Sequence, residues 1–247
     1  MSKGIVFITG ASSGIGEALA TELASRGYDL GLMARRVDKL EEIAARLRTT
    51  YGVRVAVAAL DVADDERVYG VVDALRDELG GLDVMVANAG ITAINRTGAG
   101  KIDKDKRVIA VNLVGAIATL DAAAKHFRAE KKGRLVGISS IAAFHPIPGS
   151  GTYAATKAAL SMWLRAARLE LRKHGIGVTA VHCGFVKSEL VPNMEKYPFV
   201  IEASDAARAI ADAIEEERDE VVVPAWPWKA ILAASKFVPE KLMPKMF

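Results

Sequence analysis

Gly4–Ala20, GIVFITGASSGIGEALA, decides the fold. Ile5, Val6, Phe7 and Ile8 form a continuous apolar run, the pattern of a parallel strand buried on both faces. Gly10, Gly14 and Gly16 follow in the spacing TGxxxGxG, and a run of helix formers comes next. Glycines let a backbone turn tightly and approach a ligand closely. The helix behind them offers free N–H groups and partial positive charge to an anion. At a first strand–helix junction, such a turn is expected to hold the pyrophosphate of a dinucleotide on Gly10, Ser12, Ser13, Gly14, Ile15 and Gly16. The plain alternative is a glycine-rich turn with no ligand. A triphosphate loop is disfavoured, because Glu17 stands where a GK[ST] ending would be needed.

The second strand, YDLGLMA, ends at Ala34, and Arg35 and Arg36 come next. A site for NAD places a carboxylate about twenty residues past the glycines to hold the ribose 2′-hydroxyl. Ala34 occupies that place here. A carboxylate repels a 2′-phosphate, whereas a guanidinium pairs with it through a charge-assisted fork. The expected cofactor is therefore NADP(H) in preference to NAD(H). Arg35 is the expected phosphate ligand, with or without Arg36; the plain alternative is that one or both arginines merely solvate the surface.

Tyr153 and Lys157 stand at i and i+4 in YAATK, within a stretch that predicts a helix, so both project from one face. A free phenol, with a pKa of about 10, exchanges protons poorly near neutrality. A nearby ammonium favours the phenolate, so Lys157 is expected to lower the pKa of Tyr153 toward a useful value. Ser140, at the end of the strand GRLVGISS, is placed to donate a hydrogen bond to a substrate oxygen. A lone YxxxK is usually an ordinary amphipathic helix. The glycine turn upstream and Ser140 nearby turn the reading toward hydride transfer between a nicotinamide and a carbonyl or alcohol.

These stretches together resemble the short-chain dehydrogenase/reductase family, from about Lys3 to Val223. TGASSGIG, LDV at Leu60–Val62, NAG at Asn88–Gly90, VNLVG around Asn112, ISS ending at Ser140, and YAATK occur in the family's order and spacing. The resemblance implies a catalytic tetrad of Asn112, Ser140, Tyr153 and Lys157. In it Tyr153 exchanges the proton, Ser140 orients the substrate, Lys157 also bonds the nicotinamide ribose, and Asn112 holds a water. It further implies adenine contacts from Asp61 and Val62, and a wall supporting the cofactor at Asn88, Ala89 and Gly90. Without the resemblance, Asn112 reads only as a polar residue in an apolar helix. After the sixth strand the family has PGxVxT, whereas this chain has Cys183-Gly184-Phe185-Val186-Lys187-Ser188. Val186 and Ser188 can keep the contacts to the carboxamide. Losing the proline leaves φ unfixed in this turn, so the loop is either more mobile or braced by other packing. Cys183 reads as a small buried side chain in preference to an oxidation-sensitive thiol.

The 247 residues suit one domain, with hydrophobic residues at 51% and charged ones at 26%, which argues against disorder. A net charge of +3 is spread along the chain, so nucleic-acid binding has little support. His182 beside Cys183 makes no metal site, since adjacent strand residues point to opposite faces. A single cysteine fits a reducing, cytoplasmic setting, and the apolar first strand reads as core and not as a signal peptide. Strands are predicted near 4–9, 28–34, 53–59, 82–87, 133–139, 176–182 and 220–223. Helices are predicted near 14–26, 37–50, 64–79, 104–130, 151–174 and 203–217. Their alternation predicts a single α/β domain, a Rossmann-like doubly wound parallel sheet of about seven strands, with ligands at the strands' C-terminal ends.

Two segments bear on substrate and assembly. Residues 189–201 hold the place of a substrate-covering loop. Ile141, Phe144 and Phe185, with Ile147, Val191, Met194 and Phe199, suggest an apolar pocket for a lipophilic carbonyl or alcohol. Residues 225–247 mix aromatics with lysines and contain no stretch able to span a bilayer. They read first as a lid or a subunit contact, within a homodimer or homotetramer. An amphipathic contact with a membrane surface or a frayed end are the alternatives. The rival functions are a catalytically silent NADP(H)-binding regulator and a redox-neutral isomerase or lyase.

Overall fold

The computed structural model describes residues 2–145, 148–189 and 196–235. Seven strands form one sheet: β1 (Ile5–Thr9), β2 (Asp29–Ala34), β3 (Val55–Ala59), β4 (Val84–Ala87), β5 (Arg134–Ser140), β6 (Gly177–Cys183) and β7 (Glu220–Val223). Their order is β3-β2-β1-β4-β5-β6-β7, and every neighbouring pair is parallel. The chain steps outward from β1 to β3, then returns to lay β4 on the other side of β1. That reversal opens a crevice at the C-terminal ends of β1 and β4, where ligands of such sheets bind.

The alternation of side chains along each strand builds two cores. Val6 and Ile8 of β1 join Leu19 of α1 (Gly14–Ser25), Leu40 of α2 (Val37–Tyr51) and Ile210 of α7 (Ala203–Glu215) on one face. Ile5 and Phe7 join the opposite face. There they meet Val72 of α3 (Asp65–Leu79), Leu120 of α5 (Ala116–Glu130) and Leu160 of α6 (Gly151–Leu171). Both faces of the sheet are therefore covered, which is why the strands read as unbroken apolar runs.

The helix predicted over 104–130 is α4 (Ile102–Ile109) running through a π-helical turn, Ala110–Gly115, into α5. Such a turn inserts an extra residue into the hydrogen-bond ladder and re-aims the side chains it carries. The tail supplies α8 (Trp228–Ser235), which its mixed composition did not predict.

Candidate active site

The nucleotide end is built by close backbone approach. Gly10 and Gly14 adopt φ +67° and +58°, the region that favours glycine. A Cβ on Gly16 would run into the carbonyl oxygen of Gly10 and the side-chain amide of Asn88. Asn88 braces this turn from β4, its Nδ2 donating to the carbonyls of Thr9 at 2.9 Å and Gly10 at 3.2 Å. The hydroxyl of buried Thr9 accepts in return from the N–H groups of Asn88 and Ala89. The turn is thus locked to the end of β4 before any ligand arrives.

Both arginines after β2 border the cleft. Arg36 lies over the glycine turn. Its Nε donates to Ser12 Oγ at 3.2 Å, one terminal nitrogen donates to Ser13 Oγ at 2.7 Å, and the other pairs with Glu189 at 3.1 Å. Arg35 is exposed and makes no hydrogen bond or ion pair among the described residues, although its charge helps to depress the Asp61 pKa. Burial alone would raise the Asp61 carboxyl. Hydrogen bonds from the Arg107 guanidinium and the Ala63 N–H outweigh it and hold the group below the usual carboxylate value. Arg107, on α4, also borders the cleft. No local motif announced it.

The chemical end is contributed by β5 and α6. Ser140 closes β5, its Oγ accepts from the Ala142 N–H at 3.1 Å, and it borders the cleft together with Tyr153. Lys157 is buried on the next turn of α6. Its Nζ donates to the Ile138 carbonyl at 2.8 Å and lies 5.8 Å from the centre of the Tyr153 ring. Burial raises the Tyr153 phenol to about 12, with the Ser140 side chain pulling the other way. Burial likewise lowers the Lys157 ammonium to about 8. This corrects the expectation of an acidified phenol. The ammonium is turned to a backbone carbonyl, so desolvation outweighs its attraction for a phenolate.

Asn112 sits in the π-helical turn with no exposed surface. Its Oδ1 accepts from the Ile91 N–H at 2.8 Å, and its Nδ2 donates to the Ile91 carbonyl at 2.9 Å. It also approaches Thr156 Oγ1 at 3.4 Å, tying the loop after β4 to α6. Lys157 Nζ and Asn112 Oδ1 both lie beside Gly90, which, like Val62 and Ala89, borders the cleft.

The turn that lacks the family's proline is braced by packing. Cys183 ends β6 in register with Ser140, and burial raises its thiol to about 12, against the pull of Lys157. It is a protonated, packed side chain. The Gly184 N–H donates to the Val223 carbonyl at 2.7 Å. A Cβ on Gly184 would strike the indole of Trp228 on α8. Two backbone bonds, Lys187 N–H to the Ile201 carbonyl and Ile201 N–H to the Phe185 carbonyl, hold the segment carrying Val186. Ser188 follows at the cleft, against Gly14.

Of the residues expected to meet a substrate, Ser140, Ile141, Tyr153 and Phe185 line the cleft. Phe144 does not. Its ring packs 4.9 Å from that of His182, whose Nε2 meets Glu220 at 2.7 Å. Phe199 stacks edge-on to Trp228 and is not in the lining, while Ile147, Val191 and Met194 lie outside the described residues. Tyr197, which sequence reasoning missed, joins the lining and stacks on Phe185 at 4.6 Å. His145 also borders the cleft, with burial keeping its imidazole below the usual value.

The cleft encloses about 610 Å³. Its glycine cradle admits a close-lying phosphate, two guanidiniums stand at the β2 end, and a serine–tyrosine pair stands at the far end. These residues fit a nicotinamide dinucleotide. Comparison with known proteins agrees. The family described as short chain dehydrogenase matches residues 4–197. An uncharacterized oxidoreductase of Mycobacterium tuberculosis is 37% identical over 239 residues, covering 96% of this chain and 94% of that one. A short-chain dehydrogenase from Sphingobium yanoikuyae, solved with NADPH, superposes with a TM-score of 0.84 at 29% identity, over 95% of this chain and 94% of that chain. The bulky-bulky ketone specific alcohol dehydrogenase from Comamonas testosteroni does so with a TM-score of 0.82 at 26% identity, over 97% and 96%. The chain belongs to the short-chain dehydrogenase family and is an oxidoreductase acting on CH–OH groups with a nicotinamide cofactor.

Proposed function

We propose that this enzyme uses NADP(H) in preference to NAD(H) and reduces a lipophilic ketone or aldehyde to the matching alcohol. The observation that carries the reading is one cleft with Arg35 and Arg36 at one end and Ser140 and Tyr153 at the other. NADPH, when bound, supplies the hydride. Gly10, Ser12, Ser13, Gly14, Ile15 and Gly16 would hold its phosphates, Asp61 and Val62 its adenine, and Val186 and Ser188 its carboxamide.

The remaining chemistry belongs to side chains of this protein. Ser140 and Tyr153 present two hydroxyls to a carbonyl oxygen and polarise it as negative charge develops. A phenol raised to about 12 keeps its proton at neutral pH, so Tyr153 has one to give to that oxygen. Lys157 stands behind it, and Asn112 fixes the neighbouring loop through Ile91. Ile141, Phe185 and Tyr197 line the same space, which favours an apolar substrate body. The ketone specificity named for the Comamonas enzyme is consistent with that lining.

The packing of Trp228 against Gly184 and Phe185 supports reading the start of the tail as a wall of the site. Met162 and Leu169 of α6, apolar and exposed, support assembly into a homodimer or homotetramer, and a lone buried cysteine suits the cytoplasm. Steady-state kinetics with NADPH and NADH, over carbonyls graded from small and polar to bulky and apolar, tests the reading. Wild type should favour NADPH and the apolar carbonyls, and Tyr153→Phe should lose turnover by about 10²–10⁴-fold. A preference for NADH, or near-normal turnover by the variant, would defeat it.

A further inference from the structure

At the phosphate end of the cleft, one carboxylate has no place in the scheme above. Glu189 follows Ser188, far along the chain from the arginines, and reaches Arg36 only through the fold. Every nitrogen of that guanidinium is engaged: Nε with Ser12 Oγ, one terminal nitrogen with the Ser12 carbonyl and Ser13 Oγ, the other with Glu189. Glu189 is the one anion that Arg36 touches among the described residues. Both partners remain partly in water, with side chains 45% and 68% exposed, so the pair is weak and replaceable.

We propose that Glu189 sets the margin by which this enzyme prefers NADP(H), because its carboxylate occupies the counter-ion position on Arg36 that a 2′-phosphate must take. This rests on the NADP(H) reading above. Two anions on one guanidinium repel each other, and the fork that suits a phosphate is already shared with a carboxylate. A ligand with a 2′-phosphate therefore breaks an ion pair as it binds, while one with a 2′-hydroxyl leaves the pair intact. The other charges near this end do not remove the competition. Arg35 is a second cation, Asp61 is paired with Arg107, and Lys187 is paired with Glu202.

The test is isothermal titration with two probes differing only at the 2′-position, adenosine 2′,5′-bisphosphate and 5′-AMP. Glu189→Gln should tighten the bisphosphate about two- to fivefold and leave 5′-AMP unchanged, the size expected of an exposed pair. In an Arg36→Gln background the same substitution should change neither. Equal tightening of both probes, or a gain that survives in the Arg36→Gln background, would overturn the proposal, since either means a general charge effect. If wild type binds the bisphosphate no better than 5′-AMP, the NADP(H) preference itself fails. The role of Glu189 then stands if Glu189→Gln creates that preference, and falls if it does not.

Discussion

Lys157 is a cation held almost out of water, 4% exposed, with its Nζ on the Ile138 carbonyl. Its pKa falls from 10.5 to about 8 through burial. At about 1.4 kcal/mol for each tenfold change in the proton equilibrium, the charged form costs the native state on the order of 3 kcal/mol at pH 7. The unfolded chain binds this proton more tightly, so between pH 8 and 10.5 it carries the larger share of protons. Stability attributable to this residue therefore rises with pH across that window. Lys157→Met removes the ammonium and keeps most of the volume, at the loss of about 1 kcal/mol for the bond to Ile138. The variant should be more stable than wild type by about 2 kcal/mol at pH 7, and that gain should vanish by pH 10. Urea denaturation of both proteins at the two pH values measures it, and taking the difference removes the opposite trend of Tyr153, whose raised pKa acts above pH 10. A variant less stable by the same amount at both values would show that burial does not strain the ammonium.

Other substitutions probe separate parts of the site. Gly16→Ala drives a methyl group into the Gly10 carbonyl and the Asn88 amide, so NADPH affinity measured by fluorescence titration should fall at least about tenfold, with a stability loss of about 1–3 kcal/mol. Asn112→Ala strands the N–H and carbonyl of Ile91, and thermal or urea unfolding should show a loss of about 2–4 kcal/mol. Trp228→Ala empties a fully buried site, costing about 3–5 kcal/mol. It should raise KM for bulky carbonyls while leaving the Kd of NADPH near its wild-type value.

What the sequence disclosed divides along physical lines. The five residues Ile5–Thr9 are buried throughout, and that two-sided burial is what a continuous apolar run encodes. The glycine spacing predicted a cradle because only a missing Cβ permits the approach of Gly16 to Gly10. The i, i+4 rule put Tyr153 and Lys157 on one face correctly, yet gave the wrong sign for the phenol. Spacing carries no information on dielectric or on where an ammonium finds its acceptor. Asn112 was legible only through family resemblance, since a π-helical turn leaves no composition signal. Arg36 with Glu189, and Trp228 with Gly184, join distant positions, and nothing local specifies either contact.

The helix that carries Trp228 comes after every strand of the sheet in chain order. Trp228, the aromatic that α8 supplies, leans on Phe185, while Ser140, Tyr153 and Lys157 are carried by β5 and α6. The packing behind Phe185 and the residues of the proton chemistry are thus mounted on separate mechanical supports. Substitutions confined to α8 should therefore alter the packing behind Phe185 without touching Ser140, Tyr153 or Lys157.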